Sequence, residues 1–188
     1  MKTGKRYNME LRAAAAQATR ERILVAAADV FLARWYDDVT LAELAQRAGV
    51  SGQTVINHYG GKEQLATAAY EFLSKQITLR RYTPEPGDLE GSVEALVEDY
   101  EITGDAVMRM LALEEKVATL APLLERGRQS HRDWVETMFQ APDVLPELIV
   151  ATDVYAWKLL RRDQGLGREE TAAAIRHMVQ AILDRRQG

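Results

Sequence analysis

Apolar residues recur every three or four positions along most of the chain, the spacing that places them on one face of an α-helix. Ile23 and Val30 belong to such a stripe, which predicts a helix over residues 19–34. The Ala-rich stretch 11–18 can extend this helix, and residues 1–10 are expected to form a loose arm. No convincing alternation of β-branched residues is present, so the pattern predicts an all-α protein.

Two short helices joined by a tight turn are predicted next. Thr40 and Glu43 have the spacing of a capping box, S/T-x-x-E, which starts a helix. Gly49 can end that helix in a left-handed conformation, and Ser51 can cap a following helix that runs to about residue 58. Residues 41–59 therefore have the dimensions of a helix-turn-helix, whose second helix enters the major groove of DNA. The pattern alone equally permits a purely structural helical hairpin.

A Pro/Gly-rich connector over residues 82–88 interrupts the helical pattern, because proline disfavours helix at itself and at the preceding residue. A domain boundary inside it gives an N-terminal arm (1–18), a helix-turn-helix domain with the start of a connecting helix (19–80) and a second helical domain (81–188). The helices predicted on either side of the connector cover residues 62–80, 92–117, 121–139 with an interruption near Gly127, 146–162 and 168–185.

The composition excludes several classes of protein. The 188 residues are 47% apolar and 28% charged and include no cysteine, so disulfides, thiolate nucleophiles and Cys-based metal sites are absent. No apolar stretch is long enough to cross a membrane and no apolar block follows the N-terminus, which predicts a cytoplasmic protein. His58, His131 and His177 lack metal-ligand spacing and no catalytic motif is present. We expect no enzymatic activity, no metal and no cofactor.

The net charge of −4 is divided unevenly along the chain. Residues 1–80 hold 11 Lys/Arg and 8 Asp/Glu, whereas residues 81–188 hold 13 Lys/Arg and 20 Asp/Glu. A change of sign between the two halves suggests different partners, with the N-terminal half tolerating or seeking a polyanion. Charge alone is a weak signal, and it gains weight only beside the predicted helix-turn-helix.

Three segments make the chain recognisable. Residues 19–31 (TRERILVAAADVF), 39–51 (VTLAELAQRAGVS) and 54–65 (TVINHYGGKEQL) closely resemble the N-terminal domain of TetR-family transcriptional regulators. The resemblance covers about residues 19–73. It implies a homodimeric, ligand-responsive repressor with a three-helix DNA-binding domain and a more variable helical domain that binds an inducer and dimerises through its last two long helices.

The resemblance also implies DNA contacts residue by residue. Gln53 and Thr54 would meet base edges, since Gln pairs bidentately with adenine and a Thr methyl can contact a thymine methyl. Thr40, His58 and Lys62 would hold phosphates together with Ser51. The outward positions of the second helix also include Gly52 and Asn57.

Three positions depart from the family pattern. Trp35 stands where the family usually has Gly, so the first helix must end differently. Most members have an aromatic residue at the position of Asn57. Gly61 stands where Ser or Pro is usual. Ahead of the first helix, a basic arm could lie along phosphates, reach the minor groove or remain a solvated tail; its cations are Lys2, Lys5, Arg6 and Arg12.

The second domain offers candidates for two further roles. Asp99, Glu101 and Asp105 could favour a cationic inducer. Bulky side chains that could line an inducer pocket, or simply form the core, are Tyr100, Val107, Met108, Leu111, Trp134 and Tyr155. Apolar stripes that could form a dimer interface, or pack within one chain, comprise Leu148, Ala151, Tyr155, Leu159, Ile175, Met178, Val179 and Ile182.

Two other classes of function compete with a DNA-reading repressor. One is a helical effector-binding or interaction module that no longer reads DNA, which the Trp35 and Asn57 departures and the modest N-terminal charge would favour. The other is a small helical enzyme that uses the paired carboxylates Glu114 and Glu115, although a solvated helix face explains these acids better.

Overall fold

A computed structural model describes residues 3–116 and 120–185, with side chains from Met9 onward. In these ranges the chain is all-α, as predicted, and no helix is both long and apolar enough to span a bilayer. The helices are α1 (Thr3–Ala33), α2 (Leu41–Arg47), α3 (Gly52–Tyr59), α4 (Lys62–Arg81), α5 (Leu89–Ala112), α6 (Ala121–Phe139), α7 (Leu145–Thr152), α8 (Val154–Lys158) and α9 (Arg168–Arg185).

The helices form two compact units, one ending at Leu73 and the other beginning at Ser74. The division falls inside α4, whereas the sequence analysis places the boundary in the 82–88 connector. α4 runs without a break from Lys62 to Arg81 because no proline or glycine interrupts it. Its first half contributes Leu65 and Ala69 to the core of the first unit.

The core of the first unit joins α1, α2, α3 and the first half of α4. Ile23, Leu44, Val55 and Leu65 are each fully buried, and Tyr59 is almost so, as the helical spacing predicts. Burial of each large aliphatic side chain contributes about 1.5–3 kcal/mol relative to exposure. Isolated helices of seven or eight residues are not stable in water, so α2 and α3 depend on these core contacts for their stability. The same contacts fix the orientation of the two helices relative to each other.

α1 is longer than predicted. The arm expected over residues 1–10 is helical from Thr3 and continues without interruption into the predicted helix. The run Ala13–Ala16 explains the continuity, because alanine has the highest helix propensity. Of the cations assigned to the arm, Arg12 is exposed, Lys2 lies outside the described residues, and the side chains of Lys5 and Arg6 are likewise not described.

The second unit has its own core, built around Trp134 and Trp157, which are both fully buried. Two predictions about its helices are wrong. α6 is continuous through Gly127, because the cost of about 1 kcal/mol for an interior glycine is smaller than the gain from burying that helix's apolar face. The helix predicted over 146–162 is broken at Asp153.

The break at Asp153 has a local cause. Its backbone is extended (φ −70°, ψ 155°), and its carboxylate accepts a hydrogen bond from the backbone N–H of Tyr155 at 2.9 Å. An aspartate that caps a new helix competes with continuation of the old one.

After α8 the chain forms one π-helical turn, Leu159–Asp163, before α9. The long helix predicted to continue to residue 117 is shorter than expected, because α5 ends at Ala112 and residues 113–116 form a turn; residue 117 itself lies outside the described residues.

Candidate nucleic-acid interface

α3 begins as the sequence predicts. The hydroxyl of Ser51 accepts a hydrogen bond from the backbone N–H of Thr54 at 3.1 Å, and Gly49 adopts φ +66° in the turn before it. A left-handed backbone at this point is accessible to glycine at little cost, and it lets α2 end and α3 start within four residues. The turn therefore fixes where the first residues of α3 point.

α1 anchors the other end of α3 through one pair of residues. The hydroxyl of Tyr59 donates to the carbonyl oxygen of Arg20 at 2.8 Å, and the Arg20 guanidinium donates to the carbonyl oxygen of His58 at 2.9 Å. The guanidinium also lies 4.6 Å from the centre of the Tyr59 ring. Tyr59 is buried as the helical spacing predicts, whereas the role of Arg20 was not predicted; its only signal in the sequence is its i, i+3 spacing from the buried Ile23.

The outward face of α3 presents Gln53 and Asn57, both exposed. The Nε2 of Gln53 donates to the Oδ1 of Asn57 at 3.0 Å, across one helical turn. This bond uses one hydrogen of the Gln53 amide and leaves its second hydrogen and its oxygen available, which are the two groups that bidentate pairing with adenine requires. Gly52 sits at the start of the same face, and a Cβ built on it would meet no atom within 4 Å.

The residues assigned to phosphate contact lie at the starts of helices or beside them. Thr40 is exposed and its hydroxyl accepts from the backbone N–H of Glu43 at 3.2 Å, which is half of the predicted capping box. The other half is not formed as predicted, because the Glu43 carboxylate pairs with Arg34. The Lys62 ammonium lies 4.0 Å from the centre of the Tyr36 ring. Among the other contact residues, Ser51 is exposed, while Thr54 and His58 are half-buried.

Trp35 explains how α1 ends without the usual glycine. Its backbone is extended (φ −65°, ψ 142°) and not left-handed, so the position does not need a residue without a Cβ. The Arg34 guanidinium donates to the carbonyl oxygen of Asp38 at 2.5 Å, and the rings of Phe31 and Tyr36 stack with their centres 6.0 Å apart. These contacts hold the loop that leads into α2.

In the second unit, two predicted inducer contacts, Tyr100 and Trp134, enclose a buried arginine. The Arg81 guanidinium lies 4.7 Å from the Tyr100 ring centre and 5.6 Å from the Trp134 ring centre. Its Nε donates to Asp99 at 3.0 Å, and Arg80 donates to the other oxygen of the same carboxylate at 2.7 Å. Asp99 is fully buried, so these two arginines balance a charge that has no access to water.

His131 extends this cluster to α7. Because a guanidinium only donates, the Nδ1 of His131 accepts from Arg81 (3.2 Å), and its Nε2 carries the proton facing the Thr152 hydroxyl at 3.2 Å. The Thr152 hydroxyl in turn donates to the carbonyl oxygen of Leu148 at 2.7 Å. Burial, assisted by the Arg81 charge, lowers the pKa of His131 to about 3. The ring is therefore neutral at physiological pH, as its accepting role requires.

The acidic residues suggested for a cationic inducer are engaged within the chain itself. Asp99 binds the two arginines of α4, Glu101 binds Arg161 with both oxygens (2.9 and 3.1 Å), and Asp105 binds Arg162 in the same manner (both 3.0 Å). None of the three is free to receive a cation in this structure.

The other predicted pocket residues differ in how far they are buried. Val107, Met108 and Leu111 are half-buried against the core, whereas Tyr155 is 52% exposed. Tyr100 and Trp134 are core residues, in line with the alternative reading of these side chains. A groove of about 420 Å³ does exist in this unit, and its lining shares no residue with the predicted set; it comprises Thr78, Tyr82, Arg126, Gln129, Ser130 and Asp133.

The residues predicted for a dimer interface also differ in exposure. Four of them pack in the core of the second unit and are buried within one chain: Leu148, Ala151, Ile175 and Val179. Tyr155, Leu159 and Met178 are exposed, and Ile182 is half-buried. Val150, which the sequence analysis did not select, is 70% exposed on α7.

The helices α2 and α3 form a short hairpin, and α3 carries the exposed polar side chains. This hairpin, within an N-terminal unit that a second helical unit follows, defines a protein of the helix-turn-helix class. Residues 23–69 match the family model of bacterial regulatory proteins of the tetR family. This match lies within the N-terminal unit and covers the two short helices and the turn between them.

Two curated relatives match over 85 residues at 39% identity, or 45% of this chain. One is the HTH-type transcriptional regulator SrpR of Pseudomonas putida, of which the match covers 39%. The other is the uncharacterized HTH-type transcriptional regulator TtgW, from a strain of the same species, of which the match covers 62%. The match thus spans less than two thirds of either relative.

Solved structures extend the likeness in fold to most of the chain. A tetR-family transcriptional regulator from Streptomyces coelicolor superposes with a TM-score of 0.73 at 20% identity, covering 89% of this chain and 81% of that one. A transcriptional regulator from Rhodococcus sp. Rha1 gives a TM-score of 0.69 at 18% identity, covering 88% and 96%. The second unit therefore has the fold found in these regulators.

Proposed function

We propose that this protein is a ligand-responsive transcriptional repressor that binds a pseudo-palindromic DNA operator as a homodimer. The observation that carries the proposal is the exposed Gln53–Asn57 pair on α3, a helix fixed at one end by the Ser51 cap and at the other by Arg20 and Tyr59. A short helix held at both ends loses little conformational freedom when its outward side chains meet base edges. The match of residues 23–69 to the tetR-family model supports the same proposal.

Gln53→Ala tests the base-reading role. We expect it to weaken binding to the preferred sequence by about 1–3 kcal/mol while leaving binding to random duplex nearly unchanged, because it removes a base contact and no phosphate contact. The preferred sequence would be obtained by selecting retained fragments of genomic duplex at about 150 mM salt, where non-specific binding is suppressed. Fluorescence anisotropy then gives the two affinities.

Lys62→Ala is the matched control for this experiment. The loss of a phosphate contact should weaken binding to the preferred sequence and to random duplex alike. It should also reduce the slope of the logarithm of the binding constant against the logarithm of the salt concentration by about 1. If Gln53→Ala lowered both affinities equally, Gln53 would not read a base. If selection with the folded protein enriched no sequence, the chain would instead be a helical interaction module that no longer reads DNA.

Leu159→Glu tests the proposed homodimer. Leu159 is 54% exposed on the π-helical turn, and the neighbouring elements α7, α8 and α9 each carry a further exposed apolar side chain. A charge buried at an interface between two copies would weaken that interface. We expect sedimentation to show a dimer for the unmodified protein and a shift toward monomer for Leu159→Glu. Ile102→Glu, at a comparably exposed (48%) position of α5, should leave the dimer intact. Equal effects of both variants would remove Leu159 from the interface.

A further inference from the structure

A surface groove of about 420 Å³ lies between the last turns of α4 and one face of α6. On α6 it is lined by Arg126, Gln129, Ser130 and Asp133, whose i, i+3, i+4, i+7 spacing places them in one row. α4 and the residue after it supply Thr78 and Tyr82 on the facing wall. The volume falls within the range of small-molecule sites in proteins.

The two ends of this row differ in charge. Arg128 and Arg132 of α6 form ion pairs with Glu114, Glu125 and Glu136, whereas Arg126 forms none with any residue that the structure describes. The hydroxyls of Tyr82 and Ser130 also have no hydrogen-bond partner in the described ranges and line the same groove. Three donors without partners in one concave surface suit an anion, and a guanidinium is the side chain best shaped for a carboxylate.

Asp133 occupies the other end, about 10 Å along the helix from Arg126 at 1.5 Å per residue. The Nε2 of Gln129 donates to its Oδ1 at 2.6 Å, so its second oxygen is open to a hydrogen-bond donor. A ligand that fills the groove would therefore place its carboxylate near Arg126 and a hydroxyl near Asp133.

The groove adjoins the buried cluster described above. Tyr82, Ser130 and Asp133 are the direct chain neighbours of Arg81, His131 and Trp134, the buried residues on α4 and α6. The indole N–H of Trp134 donates to the carbonyl oxygen of Arg81 at 2.9 Å. A molecule bound in the groove would touch the residues beside those that hold the last turn of α4 in place.

We propose that this groove is the effector site of the protein and takes a small aryl carboxylate that carries a hydroxyl at its far end. The carboxylate binds Arg126 with the Tyr82 and Ser130 hydroxyls, the ring lies across the apolar stems of the lining residues, and the hydroxyl donates to Asp133. This proposal rests on the proposed ligand response, because it names the class of effector and the place where it binds.

Isothermal titration of the full chain without DNA tests the site directly. The probe is 4-hydroxybenzoate, and its charge-reversed counterpart 4-hydroxybenzylamine has a similar shape. We expect binding of the acid and at least about tenfold weaker binding of the amine, with about a tenfold loss for Arg126→Gln, since that variant removes the guanidinium from the carboxylate. Arg132→Gln, which removes an exposed arginine of the same helix from outside the groove, should bind like the unmodified protein.

A second variant tests the other end. Asp133→Ala, which removes both the donor and acceptor capacity of the side chain, should abolish the preference for 4-hydroxybenzoate over benzoate while retaining the preference for acid over amine. No heat of binding at about 10 mM acid, equal binding of acid and amine, or equal affinities of Arg126→Gln and Arg132→Gln would each overturn the proposal. Selection of a DNA sequence by the same sample reports on the proposed DNA-reading function separately, so failure of one can be told from failure of the other.

Discussion

Asp99→Ala is expected to lower the free energy of unfolding by about 3–5 kcal/mol, a large part of the stability of a domain of this size. The substitution leaves the guanidinium of Arg81, which is itself buried, facing Tyr100, Trp134 and a neutral His131 with no negative charge to balance it. Taking a cation out of water without a partner is what makes the change costly. Urea denaturation followed by tryptophan fluorescence measures the difference.

Asp105→Ala is the matched control, since Asp105 lies on the same helix and also binds an arginine with both carboxylate oxygens. That pair is exposed (33% for Arg162 and 53% for Asp105), so its removal should cost about 1 kcal/mol or less. The double variant Asp99→Ala/Arg81→Met should recover part of the stability, because an apolar side chain replaces the unpaired cation. Equal destabilisation by Asp99→Ala and Asp105→Ala would show that burial of the ion pair does not determine how much free energy of unfolding is lost with the carboxylate.

Gly104→Ala is expected to destabilise the second unit by about 1–3 kcal/mol, although alanine in a helix interior ordinarily stabilises by about 1 kcal/mol relative to glycine. A Cβ on Gly104 would lie 2.5 Å from the Cζ3 of Trp157. The indole cannot move freely, because it is fully buried, donates from its Nε1 to Glu101 at 3.1 Å and carries the Arg162 guanidinium 4.6 Å above its centre. Thermal unfolding followed by circular dichroism checks the expected sign.

Gly52→Ala separates this steric effect from the general effect of replacing glycine in a helix. A Cβ at Gly52 meets open space, so stability should be unchanged or slightly higher. In a Trp157→Phe background, where the smaller ring leaves room, the cost of Gly104→Ala should shrink. A stabilising Gly104→Ala, or a cost that Trp157→Phe does not alter, would contradict the close packing of α5 against α8.

Local signals in the sequence predicted the first unit well. The spacing of apolar residues, the Ser51 cap and Gly49 each act within a few residues of their own position, so the helices, the turn and the buried Leu44, Val55 and Tyr59 follow from the chain itself. The outward positions of α3 follow from the same periodicity once its first residue is known. Whether they contact DNA is a prediction that the experiments above test.

Tertiary contacts decided what local patterns left open. Arg20 gains its role only because α3 packs beside it, 38 residues further along the chain, and a buried Asp99 is possible only because α4 brings two arginines to it. Periodicity marks Leu148, Ala151, Ile175 and Val179 as apolar but does not tell a core from an interface between copies, since both bury the same kind of surface. The sequence by itself determined the all-α class and the short helices and turn of the helix-turn-helix, because those depend on neighbours in the chain. The buried charge cluster, the choice between core and exposed stripe, and the groove between α4 and α6 depend on distances between residues far apart in sequence, which only the tertiary structure sets.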